Sequence, residues 1–173
     1  MVEHIIEVDK DDNQIGVRPR TDFFKSARIH RAAHLILFNS KGQILLQLRS
    51  DMKKVWPSLF TYSVDCTVGN ETYEECIDRE TREEIGISVE AKRLFTFPHF
   101  EEIDKAWHCV FVGRSDERIR PDAREIQEIR WIDADELQSD IVKNPEKYVP
   151  PFIKGMNQFF SDYYETDEYF HAI

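Results

Sequence analysis

Glu71-Thr72-Tyr73-Glu74-Glu75-Cys76-Ile77-Asp78-Arg79-Glu80-Thr81-Arg82-Glu83-Glu84-Ile85-Gly86-Ile87 is the stretch on which the reading of this chain turns. Thr72 and Glu75 have the S/T-x-x-E spacing of a capping box, and Gly86 stands where a helix commonly ends, so a helix is predicted over Thr72 to Ile85. Between Glu71 and Glu84 seven acids stand against two bases. Like charges three or four residues apart cost roughly 0.2–0.5 kcal/mol per pair, so an ordinary solvated helix mixes its signs more evenly. At about 100° per residue, Tyr73, Cys76, Ile77, Thr81 and Ile85 gather into one buried arc. Glu80 and Glu84 fall at the edge of that arc, while Glu75, Asp78, Arg79 and Arg82 point elsewhere. A buried carboxylate must be protonated, paired with a base or bound to a cation. Glu80, Glu83 and Glu84, at i, i+3 and i+4, converge well enough to hold a hard divalent ion such as Mg²⁺ or Mn²⁺. On spacing alone, a solvent-facing acidic helix with Arg79 and Arg82 as local partners is about equally tenable.

Working outward, His34–Phe38 and Gln43–Leu48 are near-continuous apolar runs flanking Asn39-Ser-Lys-Gly42. They read as a hairpin of strands covered on both faces. A first hairpin is read around the polar turn Lys10–Gly16, after a loosely alternating segment Val2–Val8. Asp51–Phe60 reads as a loop anchored by Trp56, because Pro57 limits any helix there. Thr61–Val64, Glu90–Phe97, Trp107–Val112 and Ile129–Ile132 read as strands. Asp133 or Asp135 would cap a short helix over Glu136–Ile141. Pro150 and Pro151 introduce a last helix whose Phe152, Met156, Phe159 or Phe160, and Tyr163 recur at helical spacing, as for a face packed on the core. The order β-β-β-α-β-β-α points to a mixed sheet flanked by helices.

The 173 residues, 41% of them apolar, suit one domain over residues 1–165 followed by an acidic tail at 166–173. The tail's aromatics are read as docking on the domain or on a second subunit, in a homodimer. No window approaches the roughly 18 apolar residues of a membrane helix, and the first residues lack the basic and apolar regions of a signal peptide. The expected setting is cytoplasmic, without a membrane partner. Cys66, Cys76 and Cys109 are odd in number and lack metal-ligand spacing such as C-x-x-C, so they are read as reduced thiols. A formal net charge of −10 argues against a nucleic-acid polymer as partner. It does not exclude a small phosphorylated substrate, because carboxylate-held cations can turn an acidic pocket into a phosphate site.

From Glu71 to Ile87 the sequence resembles the Nudix box, G-x5-E-x7-R-E-U-x-E-E-x-G-U with U apolar. Every element from Glu71 onward is present, with Thr81 in place of a large apolar residue. Upstream, SVDCTVGNE (63–71) aligns with the family's glycine-bearing segment if one loop residue is deleted. That alignment sets Asp65 and Cys66 over the paired glycines, where backbone normally helps to coordinate metal. The resemblance implies an α/β fold, an α/β/α sandwich with a mixed sheet, and hydrolysis of a diphosphate bond in a nucleoside diphosphate derivative or related compound. It makes Glu80 and Glu84 the main metal ligands and Glu83 a further ligand or base, with Arg79 and Glu71 orienting them. Some members draw the base from a later loop, for which Glu101, Glu102, Asp104, Glu125 and Glu128 are candidates here.

The run HRAAHLILFNSKGQILLQLRSDMKKVWP, from His30 to Pro57, is similar to the subgroup that includes type I isopentenyl-diphosphate isomerase. The residues matching Arg49 and Lys53 contact the diphosphate in that subgroup, which suits a forked guanidinium and a compact ammonium. The isomerase's own metal site would keep His30, but another histidine position holds Thr67 and its two glutamates map to about Asp104 and Ala106. Its catalytic cysteine aligns with Asp65, while Cys66 sits one place away, facing oppositely on a strand. His30 and His34, roughly 13 Å apart if on one strand, are read as a turn or core pair rather than a chelate. A Nudix hydrolase is therefore favoured over an isomerase, a catalytically weakened diphosphate-binding module and a purely structural acidic protein.

Overall fold

Strand side chains alternate between faces, so the two apolar runs can line two cores at once. The computed structural model, which describes residues 3–23 and 26–164, has this arrangement. The runs lie in β3 (His30–Phe38) and β4 (Gln43–Arg49). Ala33, Leu35, Leu37 and Leu45 pack on one side with Tyr73, Cys76, Ile77 and Ile85 of the acidic helix segment. Ile36, Phe38, Ile44 and Leu46 face the other side, toward Leu137, Ile141, Phe152, Met156 and Phe159. Burying each of the larger aliphatic or aromatic side chains contributes roughly 1.5–3 kcal/mol.

The helices on these faces are α1 (Tyr73–Glu84) on one, and α2 (Ala134–Lys143) and α3 (Pro150–Phe159) on the other. The result is an α/β/α sandwich around a mixed sheet, as expected. In α1 the capping box forms: Thr72 Oγ1 accepts from the Glu75 N–H at 3.1 Å, and Glu75 Oε2 accepts from the Thr72 N–H at 2.9 Å. Gly86 follows the helix at φ +72°, and a Cβ there would also meet Arg120 at 2.9 Å. Both conditions call for glycine. The apolar face of the last helix packs on the core, with Phe152, Met156, Phe159 and Phe160 all buried. No helix among the described residues is long and apolar enough to cross a membrane.

The remaining strands are β1 (His4–Val8), β2 (Gln14–Pro19), β5 (Phe60–Thr61), β6 (Val64–Thr67), β7 (Lys92–Phe100), β8 (Lys105–Arg114) and β9 (Ile126–Asp133). β1 and β2 form a separate hairpin whose turn is closed by Asp9 accepting the N–H groups of Asp11 and Asn13. β3 runs parallel to β8 and antiparallel to β6, and β4 runs antiparallel to β5 and β9. β7 is the outer neighbour of β8, where Pro98 is tolerated.

Two expectations need correction. The β3–β4 hairpin pairs only at Phe38↔Ile44, after which the strands diverge into two wings. Ordinary hairpin pairing would leave β3 without room for β6. Thr61–Val64 is likewise not one strand, because Tyr62 and Ser63 carry the chain from β5 in one wing to β6 in the other. Ser63 also fills the gap: its Oγ donates to the Leu45 carbonyl at 2.7 Å and accepts from the Leu37 N–H at 2.9 Å. The expected tail at 166–173 lies outside the described residues.

Ser63→Ala would orphan a buried carbonyl and a buried N–H together, each worth roughly 1–3 kcal/mol. Urea denaturation should show a loss of about 2–4 kcal/mol with an unchanged m-value. A loss below the usual surface-mutation range of about 0.5 kcal/mol would mean that the seam is not held by this hydroxyl.

Candidate metal and phosphate site

The helical pitch carries Glu80 and Glu84 to the edge of the buried arc of α1, and the structure turns both carboxylates toward the interior. The side chain of Glu80 is 19% exposed, and Glu84 is buried. Thr81 fits the apolar face because its hydroxyl donates to the Ile77 carbonyl at 2.6 Å, satisfying the polar group within the helix. Arg79 gathers three acids, reaching Glu71 at 2.5 Å, Glu80 at 2.8 Å and Glu83 at 3.1 Å. The bond from Arg79 holds Glu71 below the usual carboxylate range. Glu83 lies at the exposed rim.

Glu84 has weaker company. Gln47 Nε2 and the Asp65 N–H each approach its Oε2 at 3.3 Å. Lys53 attracts it, but the Lys53 ammonium is paired with Glu125. Burial, with the negative charges of Glu80 and Asp65, pushes its carboxyl up to about 8. Burial also raises Glu80. A divalent cation would relieve this crowding, and oxygen donors from Glu80, Glu83 and Glu84 match a hard ion such as Mg²⁺ or Mn²⁺.

Asp65 and Cys66, standing where the resemblance expects paired glycines, lie in the ordinary extended backbone of β6. Among the described residues, positive φ outside glycine occurs only at Asp12, Trp56 and Ser58. Asp65 accepts from Arg49 and from Thr61 Oγ1, both at 2.9 Å, and lies 3.2 Å from His34 Nδ1. Arg49 and these neighbours hold Asp65 far below the usual carboxylate range against the opposing effect of burial. Arg49 also donates to the Trp56 and Val55 carbonyls at 3.1 Å, fixing the loop that precedes β5. Lys53 is paired with Glu125. Arg49 and Lys53 both line the cavity, as a phosphate-contacting pair would, but each already has a carboxylate partner.

Beside Asp65, a chain of buried groups crosses from β3 to β8. His34 Nε2 lies 2.8 Å from His108 Nδ1. Asp104 is 3.6 Å from His108 Nε2 and 3.5 Å from His30 Nε2. Burial lowers His30 to about 4 and keeps His108 well below its ordinary value, so both rings are neutral. Burial, reinforced by Asp65, pushes Asp104 up to about 7. The expected core pair resolves into two roles: His34 stacks between Tyr62 and His108, while His30 faces the cavity beside Asp104.

The cavity these groups line has a volume of about 770 Å³, within the usual range for small-molecule sites. Glu80, Glu83, Glu84, Arg49 and Lys53 line it together. So do Asp104 and Glu125 among the later acids, whereas Glu101, Glu102 and Glu128 are exposed outside it. Arg20 and Lys105 add positive charge that the sequence did not single out. His108 was also missed. Its signal was a lone imidazole within the apolar run Trp107–Val112, a place where an unpartnered polar ring is costly. Phe23, Trp56, Ile103, Pro151 and Phe152 add apolar side chains to the same lining.

A family model described as "NUDIX domain" matches residues 28–152. A protein of Methanosarcina mazei named prenyl-diphosphate phosphatase is 43% identical over 162 residues, covering 91% of this chain and 95% of that protein. Isopentenyl-diphosphate Delta-isomerase 2 of Aromatoleum aromaticum is 31% identical, covering 86% of this chain and 82% of its own. The crystal structure of DR0079 from Deinococcus radiodurans superposes with a TM-score of 0.79 at 27% identity, covering 90% of this chain and 98% of that one.

Glu84 has a folded-state pKa raised from 4.5 to about 8. The metal-free folded chain therefore holds a proton that the unfolded chain has released, and stability falls as pH rises from about 4.5 through about 8. Thermal melts of Glu84→Gln without metal should show a flatter decline across that window and a higher Tm than the wild type at its upper end. Mg²⁺ should raise the wild-type Tm most at that upper end and leave Glu84→Gln nearly unmoved. Parallel pH profiles for the two proteins would remove Glu84 as the source of the slope.

Proposed function

The chain belongs to the Nudix family, and from that premise we propose that it hydrolyses the phosphoanhydride of a prenyl diphosphate, with a divalent cation held by Glu80, Glu83 and Glu84. The observation that carries this reading is one cavity whose lining joins an acid cluster and cations with the apolar side chains of Phe23, Trp56, Ile103, Pro151 and Phe152. A diphosphate suits the charged groups and a hydrocarbon tail the apolar ones. The names of the relatives, a prenyl-diphosphate phosphatase and an isopentenyl-diphosphate isomerase, support a prenyl group over a nucleoside.

Arg49 and Lys53 bind and orient the diphosphate, each shifting part of its bonding from a standing carboxylate partner to phosphate oxygen. Arg79 keeps Glu71, Glu80 and Glu83 in register. When bound, Mg²⁺ or Mn²⁺ supplies Lewis-acid chemistry, polarising phosphoryl oxygens and activating water. Water oxygen bonds to phosphorus and the bridging P–O bond breaks, releasing prenyl monophosphate and inorganic phosphate. Asp104 takes the water proton. It lines the cavity beside two neutral imidazoles and titrates near 7, where a general base works well. The apolar side chains of the lining receive the tail and displace water from the cavity.

The isomerase reading lacks its thiol. The position aligned with the isomerase cysteine is Asp65, committed to Arg49 and Thr61. The neighbouring Cys66 thiol donates to the Ala33 carbonyl at 3.2 Å, and burial pushes it well above the usual thiol range.

Purified protein with Mg²⁺ should release inorganic phosphate from short prenyl diphosphates faster than from nucleoside diphosphate derivatives. Glu84→Gln should lower kcat/KM by more than the roughly 10–100-fold typical of outer-shell changes. Asp104→Asn should cost about 10²–10⁴-fold and remove a rising limb near pH 7 that Glu83→Gln retains. Metal and diphosphate binding without turnover would replace hydrolysis with a binding role. Interconversion of isoprenoid diphosphates without phosphate release would restore the isomerase.

A further inference from the structure

Two of the three cysteines meet in space although ten residues separate them in sequence. Cys66 on β6 and Cys76 on the buried face of α1 bring their Sγ atoms to 3.4 Å. Neither thiol has a part in the hydrolysis described above. The Glu80 carboxylate completes the group, with donor atoms of all three residues lying within 4.8 Å of one another. Thiolate–zinc bonds of about 2.3 Å and carboxylate–zinc bonds of about 2.0–2.2 Å, set tetrahedrally, place donors roughly 3.5–3.8 Å apart. The three side chains are therefore within small adjustments of a coordinating set. Cys66 and Glu80 also line the cavity, which gives an ion a route inward.

The geometry points to a second metal site, formed by Cys66, Cys76 and Glu80, that takes a soft or borderline divalent cation such as Zn²⁺ or Cd²⁺. Sulfur donors select such ions, whereas Mg²⁺ prefers an all-oxygen set. Binding replaces the two thiol protons, which pass to solvent, and the cation offsets the charge of two thiolates and one carboxylate. Because Glu80 belongs to both sets, filling the sulfur site draws it away from Glu84 and stops hydrolysis. That inhibitory consequence rests on the proposed role of Glu80, but binding itself does not.

The test is titration of the reduced full chain with Cd²⁺, followed by the ultraviolet charge-transfer absorbance of thiolate–Cd²⁺ bonds. Wild type should develop the band and saturate at a single equivalent. Cys66→Ala and Cys76→Ala should each weaken binding at least about tenfold, and Cys109→Ala should behave as wild type, with circular dichroism confirming that all three fold. Absence of the band in wild type, or its survival when both Cys66 and Cys76 are replaced, overturns the site. In the activity arm, Zn²⁺ added over saturating Mg²⁺ should inhibit wild type and spare Cys76→Ala. Equal inhibition of both overturns the shared use of Glu80. Lack of hydrolysis by wild type under every condition counts against the proposed function, while the Cd²⁺ band still decides the sulfur site.

Discussion

β3 and β4 pair at a single position and then part, and the functional architecture depends on that separation. Continuous pairing would have made a flat sheet with its residues committed to two dry cores. The divergence instead opens a wedge whose rim is drawn from both wings. His30 and His34 come from β3, Arg49 from β4, and Asp65 from β6. Ser63 meets the backbone cost of the wedge by satisfying one polar group on each side. The polar groups of the site can therefore be buried without breaking the hydrophobic layers above and below, which pack through alternate side chains of the same strands.

Within the wedge, charges are paired unequally. Asp65 has Arg49, and Glu71, Glu80 and Glu83 share Arg79. Glu84 has two long hydrogen bonds, the repulsion of Glu80 and Asp65, and the attraction of Lys53, which is itself paired with Glu125. This asymmetry reconciles an acidic protein with an anionic ligand. The acids near the helix create demand for a cation, while Arg49, Lys53, Arg20 and Lys105 supply positive charge around the same cavity. Asp65 gives the largely buried Arg49 guanidinium a carboxylate partner that aims it, a role that glycine at this position could not perform.

Much of this was legible in the sequence because it is local. Periodicity located α1, the capping box set its start, and the angular positions of Glu80 and Glu84 forecast their inward turn. Continuous apolar runs gave two covered faces. What remained hidden depends on partners far apart along the chain. Nothing near Asp104 distinguishes it from Glu101 or Glu102; its value comes from burial beside His30 and His108. The meeting of Cys66 and Cys76 is similar, since a strand and a helix bring them together at a spacing no metal motif uses. The β3–β4 divergence was also beyond local reading, because a good turn predicts pairing next to itself and says little about where strands go afterwards.

The parallel pairing of β3 with β8 has a kinetic consequence. His30 faces Ala106 and Phe38 faces Arg114, so the central ladder joins segments far apart along the chain. Loop closure on that scale must precede the contacts that reward it, which makes such pairing slow relative to helix or hairpin formation. During synthesis β3 emerges long before its partner, carrying an apolar run that a helix alone cannot cover. The histidine chain exists only once that ladder closes, so the acid helix can form early while the cavity assembles last.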